Sequence, residues 1–133
     1  MTESAVYLDS SALMKLIFEE AESAALRTFL AEHPCRVSSL LAQVEVLRTV
    51  GRVPDPAVTR EAREILERIH LIRPDHSIHE AATTTMPATL RTLDALHLAT
   101  ALSLRPHLAG IVVYDRVLAD AARVHRLAVW APA

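Results

Sequence analysis

A chain of 133 residues, 51% of them hydrophobic, is long enough for one aliphatic core and leaves no room for a second. Its single cysteine excludes an intrachain disulfide framework, and a formal net charge of −2 excludes the overall basic signature of a nucleic-acid coat. There is no secretory leader and no apolar run near the roughly 20 residues that span a bilayer, so we expect a soluble protein of the reducing cytoplasm, one domain over 1–133. Lys15 is the only lysine, the other basic residues being arginine. That bias suits bidentate phosphate contacts, but GC-rich coding produces it equally, and we read it so.

In chain order, Ala5-Val6-Tyr7-Leu8 is a short apolar run ending at Asp9 and predicts a buried strand. Ser10-Ser11 then opens a helix over Ala12 to Ile17. Ala25, Leu26, Phe29 and Leu30 place an amphipathic helix within Glu19 to Glu32. Cys35 to Ser38 reads as a second strand and Leu40 to Val50 as a helix closed by Gly51. Val53-Pro54-Asp55-Pro56 predicts a turn, because each proline disfavours helix in the residue before it. Thr59 to Ile69 is helical, Leu71-Ile72 a short strand, and Ile78 to Thr84 a helix stopped before Pro87.

Leu93 to Leu104 predicts the next helix, and Gly110 to Tyr114 the clearest strand, followed directly by Asp115. Arg116 to Val124 and Leu127 to Trp130 complete the pattern as helix and strand. Strands alternating with helices imply an α/β fold, a three-layer α/β/α sandwich around a parallel sheet.

Open parallel sheets build their sites beyond the carboxyl ends of the strands. Asp9 and Asp115 both stand there, so neighbouring strands would bring them to one edge. Aspartate at such a junction is also a common helix N-cap, and spacing leaves the two roles equally open. Asp94 begins a helix that is apolar nearly all round, where a buried carboxylate needs a partner; the helix dipole gives some relief and a cation would give more. Glu45 shares a face with Ala42, Arg48, Thr49 and Arg52, and periodicity reads it as a solvated residue paired with Arg48. His97 reads as a satisfied core histidine without a metal, and Cys35 as a small core residue. With only Gly51 and Gly110 there is no phosphate-cradling loop, and no serine sits in a nucleophile elbow.

Taken in order, Val6-Tyr7-Leu8-Asp9-Ser10-Ser11-Ala12-Leu13, Glu45, Leu93-Asp94-Ala95-Leu96-His97-Leu98-Ala99-Thr100-Ala101 and Val112-Val113-Tyr114-Asp115-Arg116-Val117-Leu118 resemble the PIN-domain ribonucleases. Within them the chain is similar to the VapC-type toxins of toxin–antitoxin pairs. The likeness spans almost the whole chain; the first and third blocks are the most specific. It implies a PIN-like fold and an endoribonuclease acting on single-stranded RNA. It also carries the family's four acids onto Asp9, Glu45, Asp94 and Asp115, and its small hydroxyl onto Ser11, which orders the metal site or the scissile phosphate. His125-Arg126-Leu127 departs from relatives, in which glycine is common at that turn.

Clustered carboxylates repel one another unless a cation joins them. Hard oxygen donors without cysteine or histidine select Mg²⁺, with Mn²⁺ able to substitute. The resemblance further implies a homodimer and a cognate antitoxin whose tail enters the acidic groove. Two alternatives stay open: a non-catalytic PIN-like binding module, and a phosphoaspartate enzyme or receiver domain. The second wants another acid beside Asp9 and a lysine late in the chain, and neither is present.

Overall fold

The structure, a computed structural model, describes residues 4–133. The chain runs β1 (Ala5–Leu8), α1 (Ser10–Ile17), α2 (Ser23–Ala31), β2 (Arg36–Ser39), α3 (Leu40–Val50), α4 (Pro56–Glu67) and β3 (His70–Ile72). It continues through α5 (His76–Ala82), α6 (Thr92–Leu102), β4 (Leu108–Val112), α7 (Arg116–Val124) and β5 (Val129–Trp130). Every strand pair is parallel, and the strands lie in the order β3-β2-β1-β4-β5. Helices cover both faces, so the fold is the expected three-layer α/β/α sandwich.

The alternation along β1 explains the layers. All four of its residues are buried, and successive side chains enter opposite cores. Val6 and Leu8 pack with Leu13, Leu26, Val46 and Leu66 from α1, α2, α3 and α4. Ala5 and Tyr7 pack with Leu98 and Ala101 of α6 and with Leu118 and Ala122 of α7.

The strand order contains one reversal. From β1 the chain builds outward through β2 and β3, then returns to lay β4 and β5 on the other side. A crevice forms at such a reversal, outside the carboxyl ends of the two strands that flank it. Here these are β1 and β4, whose register pairs Tyr7 with Ile111 and Leu8 with Val112. The segments that follow them therefore leave the sheet side by side.

Several boundaries differ from the sequence reading for local reasons. The helix expected from Glu19 begins at Ser23, because the Ser23 hydroxyl accepts the Glu20 N–H at 2.9 Å and donates to the Lys15 carbonyl at 2.6 Å, holding a turn. The helix expected from Thr59 begins at Pro56, since Asp55 accepts the Ala57 N–H and proline fits the first helical position. The strand expected to reach Tyr114 ends at Val112, although the Val113 N–H still reaches the Trp130 carbonyl at 3.0 Å. The last strand shortens to Val129–Trp130 because Leu127 closes the preceding helix: its N–H bonds the Ala122 carbonyl. Cys35 is half-buried at the edge of the second core rather than inside it.

Candidate active site

Asp9, Glu45, Asp94 and Asp115 line one open pocket of about 370 Å³, together with Ser10, Ser11, Met14, Arg91 and Leu93. The four acids come from four places in the chain: the ends of β1 and β4, the second turn of α3 and the first turn of α6. Asp9 and Asp115 are helix N-caps as well as pocket residues. Asp9 accepts the Ser11 N–H at 3.2 Å and Asp115 accepts the Leu118 N–H at 3.2 Å. Capping and pocket lining are thus not alternatives here, because both helices start at the crevice. One carboxylate can do both.

Asp9 is 4% exposed, and burial pushes its carboxyl above the ordinary value, against the opposing pull of His97 and the hydrogen bonds from Ser11. Asp94 is half-buried and makes no hydrogen bond to another described side chain. Burial raises it first, and the charges of Asp9, Asp115 and Glu45 raise it further, with His97 opposing. Each raised carboxyl marks a place where another negative charge is unwelcome and a cation is welcome.

The Ser11 hydroxyl donates to Asp9 Oδ2 at 2.8 Å and accepts the Tyr114 N–H at 2.9 Å. Its hydrogen-bonding capacity is directed at Asp9 and the chain leading to Asp115. The resemblance left its role between ordering the metal site and ordering the scissile phosphate; the contacts seen tie Asp9 to the segment that follows β4.

The donor set fits a hard divalent cation. Every pocket acid offers carboxylate oxygen, and cysteine is absent from the lining. Among the described residues, no three His, Cys, Asp or Glu side chains already converge as a tight ligand set. The acids border an open bowl instead of a closed cage. That arrangement suits Mg²⁺, which keeps several waters and takes one or two carboxylates directly alongside a phosphate.

Periodicity misplaced Glu45. Its Oε1 lies 2.5 Å from His97 Nε2, and its side chain is 32% exposed, so it faces the pocket instead of pairing with Arg48 in solvent. His97 was correctly expected to be a satisfied buried group, but the group that satisfies it is a pocket acid. Nothing in linear spacing joins residues 45 and 97. Arg91 was not singled out either: it stands exposed on the pocket rim, without an ion pair to any described residue. Lys15, the lone lysine, is held by Glu20 and Glu22 at 2.7 and 2.8 Å.

Comparison with known proteins agrees with this arrangement. The family model described as "PIN domain" matches residues 6–124. A Mycobacterium tuberculosis protein named Ribonuclease VapC46 is 43% identical, covering 97% of this chain and 98% of its own length. Ribonuclease VapC47 of the same species is 37% identical over 89% of this chain and 90% of its own. Among solved structures, FitAcB from Neisseria gonorrhoeae superimposes with a TM-score of 0.73 at 15% identity, covering 96% of this chain and 97% of that one. VapC20 of Mycobacterium tuberculosis, described as a sarcin-ricin loop cleaving toxin, gives 0.71 at 14% identity over 87% of this chain and 94% of its own. With the family match running from β1 through α7 and two relatives above one-third identity over nearly full length, the chain belongs to the PIN domain family.

Proposed function

We propose that this protein is a divalent-metal-dependent endoribonuclease that hydrolyses single-stranded RNA and acts as the toxin of a type II toxin–antitoxin pair. The observation that carries the reading is the meeting of Asp9, Glu45, Asp94 and Asp115 in one open pocket at the reversal of a parallel sheet. Relatives named as VapC ribonucleases over nearly the whole chain support it.

In this reading Asp9, Asp94 and Asp115 hold Mg²⁺ directly or through water, and Glu45 either joins them or orients the attacking water. Such an ion supplies Lewis-acid stabilisation of the charge that develops on a phosphodiester during hydrolysis. Ser11 keeps Asp9 in register with the end of β4. In this reading water is the nucleophile, and hydrolysis proceeds in line without a covalent enzyme intermediate. Arg91 on the rim is placed to meet a phosphate.

The same reading makes residues 1–133 a single nuclease domain of the cytoplasm, homodimeric, and held inactive by a cognate antitoxin. An arginine from the antitoxin tail would pair with the pocket acids. Among the described residues no helix is long and apolar enough to cross a membrane.

The test is cleavage of total cellular RNA by purified, antitoxin-free protein with Mg²⁺ or Mn²⁺, repeated with EDTA and with Asp9→Asn. Discrete fragments that require both the metal and Asp9 are expected. Equal cleavage by Asp9→Asn, or in EDTA, would overturn the assignment.

A further inference from the structure

A hydrogen-bonded chain runs from the sheet into the acidic pocket through Tyr7, His97 and Glu45. His97 stands three residues beyond Asp94, one turn further along α6, and is 1% exposed. Its Nδ1 lies 2.9 Å from the Tyr7 hydroxyl and its Nε2 lies 2.5 Å from Glu45 Oε1. Tyr7 is fully buried in β1, two residues before Asp9, and its ring meets the imidazole edge-on at a 69° angle. The imidazole is therefore held by a strand on one side and directed at a helix on the other.

Other histidines in the chain show what a purely structural contact looks like. His33 and His79 bond the carbonyls four residues before them, and His125 bonds the Met86 carbonyl. Among the described residues, His97 is the histidine that meets a carboxylate. That contact also crosses between layers: α3 buries Ala42 and Val46 in one core, whereas α6 buries Leu98 and Ala101 in the other. Three of the elements that carry pocket acids thus meet at one imidazole: β1 with Asp9, α3 with Glu45 and α6 with Asp94.

Nε2–H donates to Glu45 whether the ring is neutral in that tautomer or protonated, so the contact does not depend on the charge state. It occupies Oε1, while Oε2 makes no hydrogen bond to a described residue. A glutamate otherwise has three rotatable bonds to settle when it takes up a ligand. Here one oxygen is fixed in advance.

We propose that His97, braced by Tyr7, is a positioning residue that pins Glu45 Oε1 and presets the carboxylate for a divalent cation in the pocket. The proposal rests on the reading of the pocket as a metal site. A hydrogen-bond partner behind a ligating carboxylate commonly governs metal affinity by about 10–100-fold.

The experiment measures Mn²⁺ affinity of the full chain by electron paramagnetic resonance, beside RNA cleavage and melting temperature. It compares wild type with His97→Leu, His97→Gln, Tyr7→Phe, Glu45→Ala and the double variant Glu45→Ala/His97→Gln. We expect His97→Leu to weaken Mn²⁺ binding by about 10–100-fold, and His97→Gln, which keeps an N–H donor, to recover part of it. In the Glu45→Ala background His97→Gln should weaken binding no further, because its effect passes through Glu45. Should His97→Leu fail to fold, His97→Gln and Tyr7→Phe carry the comparison, each with a smaller loss than the Glu45 variant. If the wild type binds Mn²⁺ and the His97 and Tyr7 variants bind it equally well, or lose as much again without Glu45, the positioning role is overturned. A wild type that binds no Mn²⁺ overturns the metal reading itself, and this inference with it.

Discussion

The Ser11 hydroxyl joins Asp9 to the segment that follows the neighbouring strand β4: it donates to Asp9 Oδ2 at 2.8 Å while accepting the Tyr114 N–H at 2.9 Å. The Asp9 N–H bonds the Val112 carbonyl at 3.0 Å, so side chain and backbone together fix Asp9 against the segment that delivers Asp115. Ser11→Ala removes the hydroxyl from both contacts. It should lower stability by about 1 kcal/mol and cleavage by roughly tenfold or more, whereas Ser11→Thr retains most of each. Urea unfolding together with cleavage rates checks this, and an alanine variant as active as wild type would refute the ordering role.

Asp94 couples stability to activity with opposite signs. Its carboxyl is raised by burial and by Asp9, Asp115 and Glu45, so the folded protein holds that proton more tightly than the unfolded chain. Stability contributed by this group is therefore lost as pH rises from the unfolded carboxyl value through the folded one. Asp94→Asn, which carries no charge to disfavour, should melt higher than wild type at pH 7 without metal. The difference should vanish in acid below the unfolded value, about 3.9. Cleavage should meanwhile fall by about 100-fold or more. A variant that melts lower at pH 7 would contradict the repulsion.

Metal binding should be proton-linked for the same reason. The carboxyls of Asp9 and Asp94 are both raised above their ordinary value, by burial first, and a cation competes with the proton for each. We expect Mg²⁺ to raise the melting temperature at neutral pH, with an affinity that weakens as pH falls toward the raised values. Calorimetry in buffers of different ionisation enthalpy should register net proton release in mildly acidic solution. A pH-independent affinity would argue against these carboxyls as ligands.

Gly110 is required by close approach of the edge strand. A Cβ there would stand 2.4 Å from Trp130 Cζ3 and 2.6 Å from the Ala128 carbonyl oxygen. The backbone carbonyl cannot yield without disturbing β5. Gly110→Ala should destabilise the fold by about 1–3 kcal/mol, read as a lower urea midpoint with an unchanged slope. An alanine variant as stable as wild type would show that β5 gives way freely.

Arg126 occupies a conformation that favours glycine, with φ at 63°. It closes α7 in a Schellman turn: its own N–H bonds the Arg123 carbonyl, and the Leu127 N–H bonds the Ala122 carbonyl at 3.1 Å. Arg126→Gly should stabilise the protein by about 1 kcal/mol and leave cleavage unchanged, and thermal unfolding will show whether the midpoint rises.

The acids were not equally legible in the sequence. Asp9 and Asp115 were visible because each ends an apolar strand run and starts a helix, a position that local patterning identifies. Asp94 was visible as a charge at the head of an apolar helix. Glu45 followed from the resemblance alone; periodicity placed it in solvent, because helical spacing ranks neighbours within α3 and carries no information about α6. His97 was legible as buried and polar but not as a pocket partner. Element ends shifted wherever a side chain intervened, as Ser23 does before α2 and Asp55 does before α4.

By itself the sequence determined the alternation of strands and helices, the aliphatic core and the acids at the strand ends. These depend on apolar period and on residues adjacent along the chain. The tertiary structure alone decided that β1 and β4 are neighbours, so that Asp9 and Asp115 share a crevice. It alone brought Glu45 to His97 across 52 positions of chain. Strand order and contacts between layers arise from how the whole sheet packs, and no local window of residues contains them.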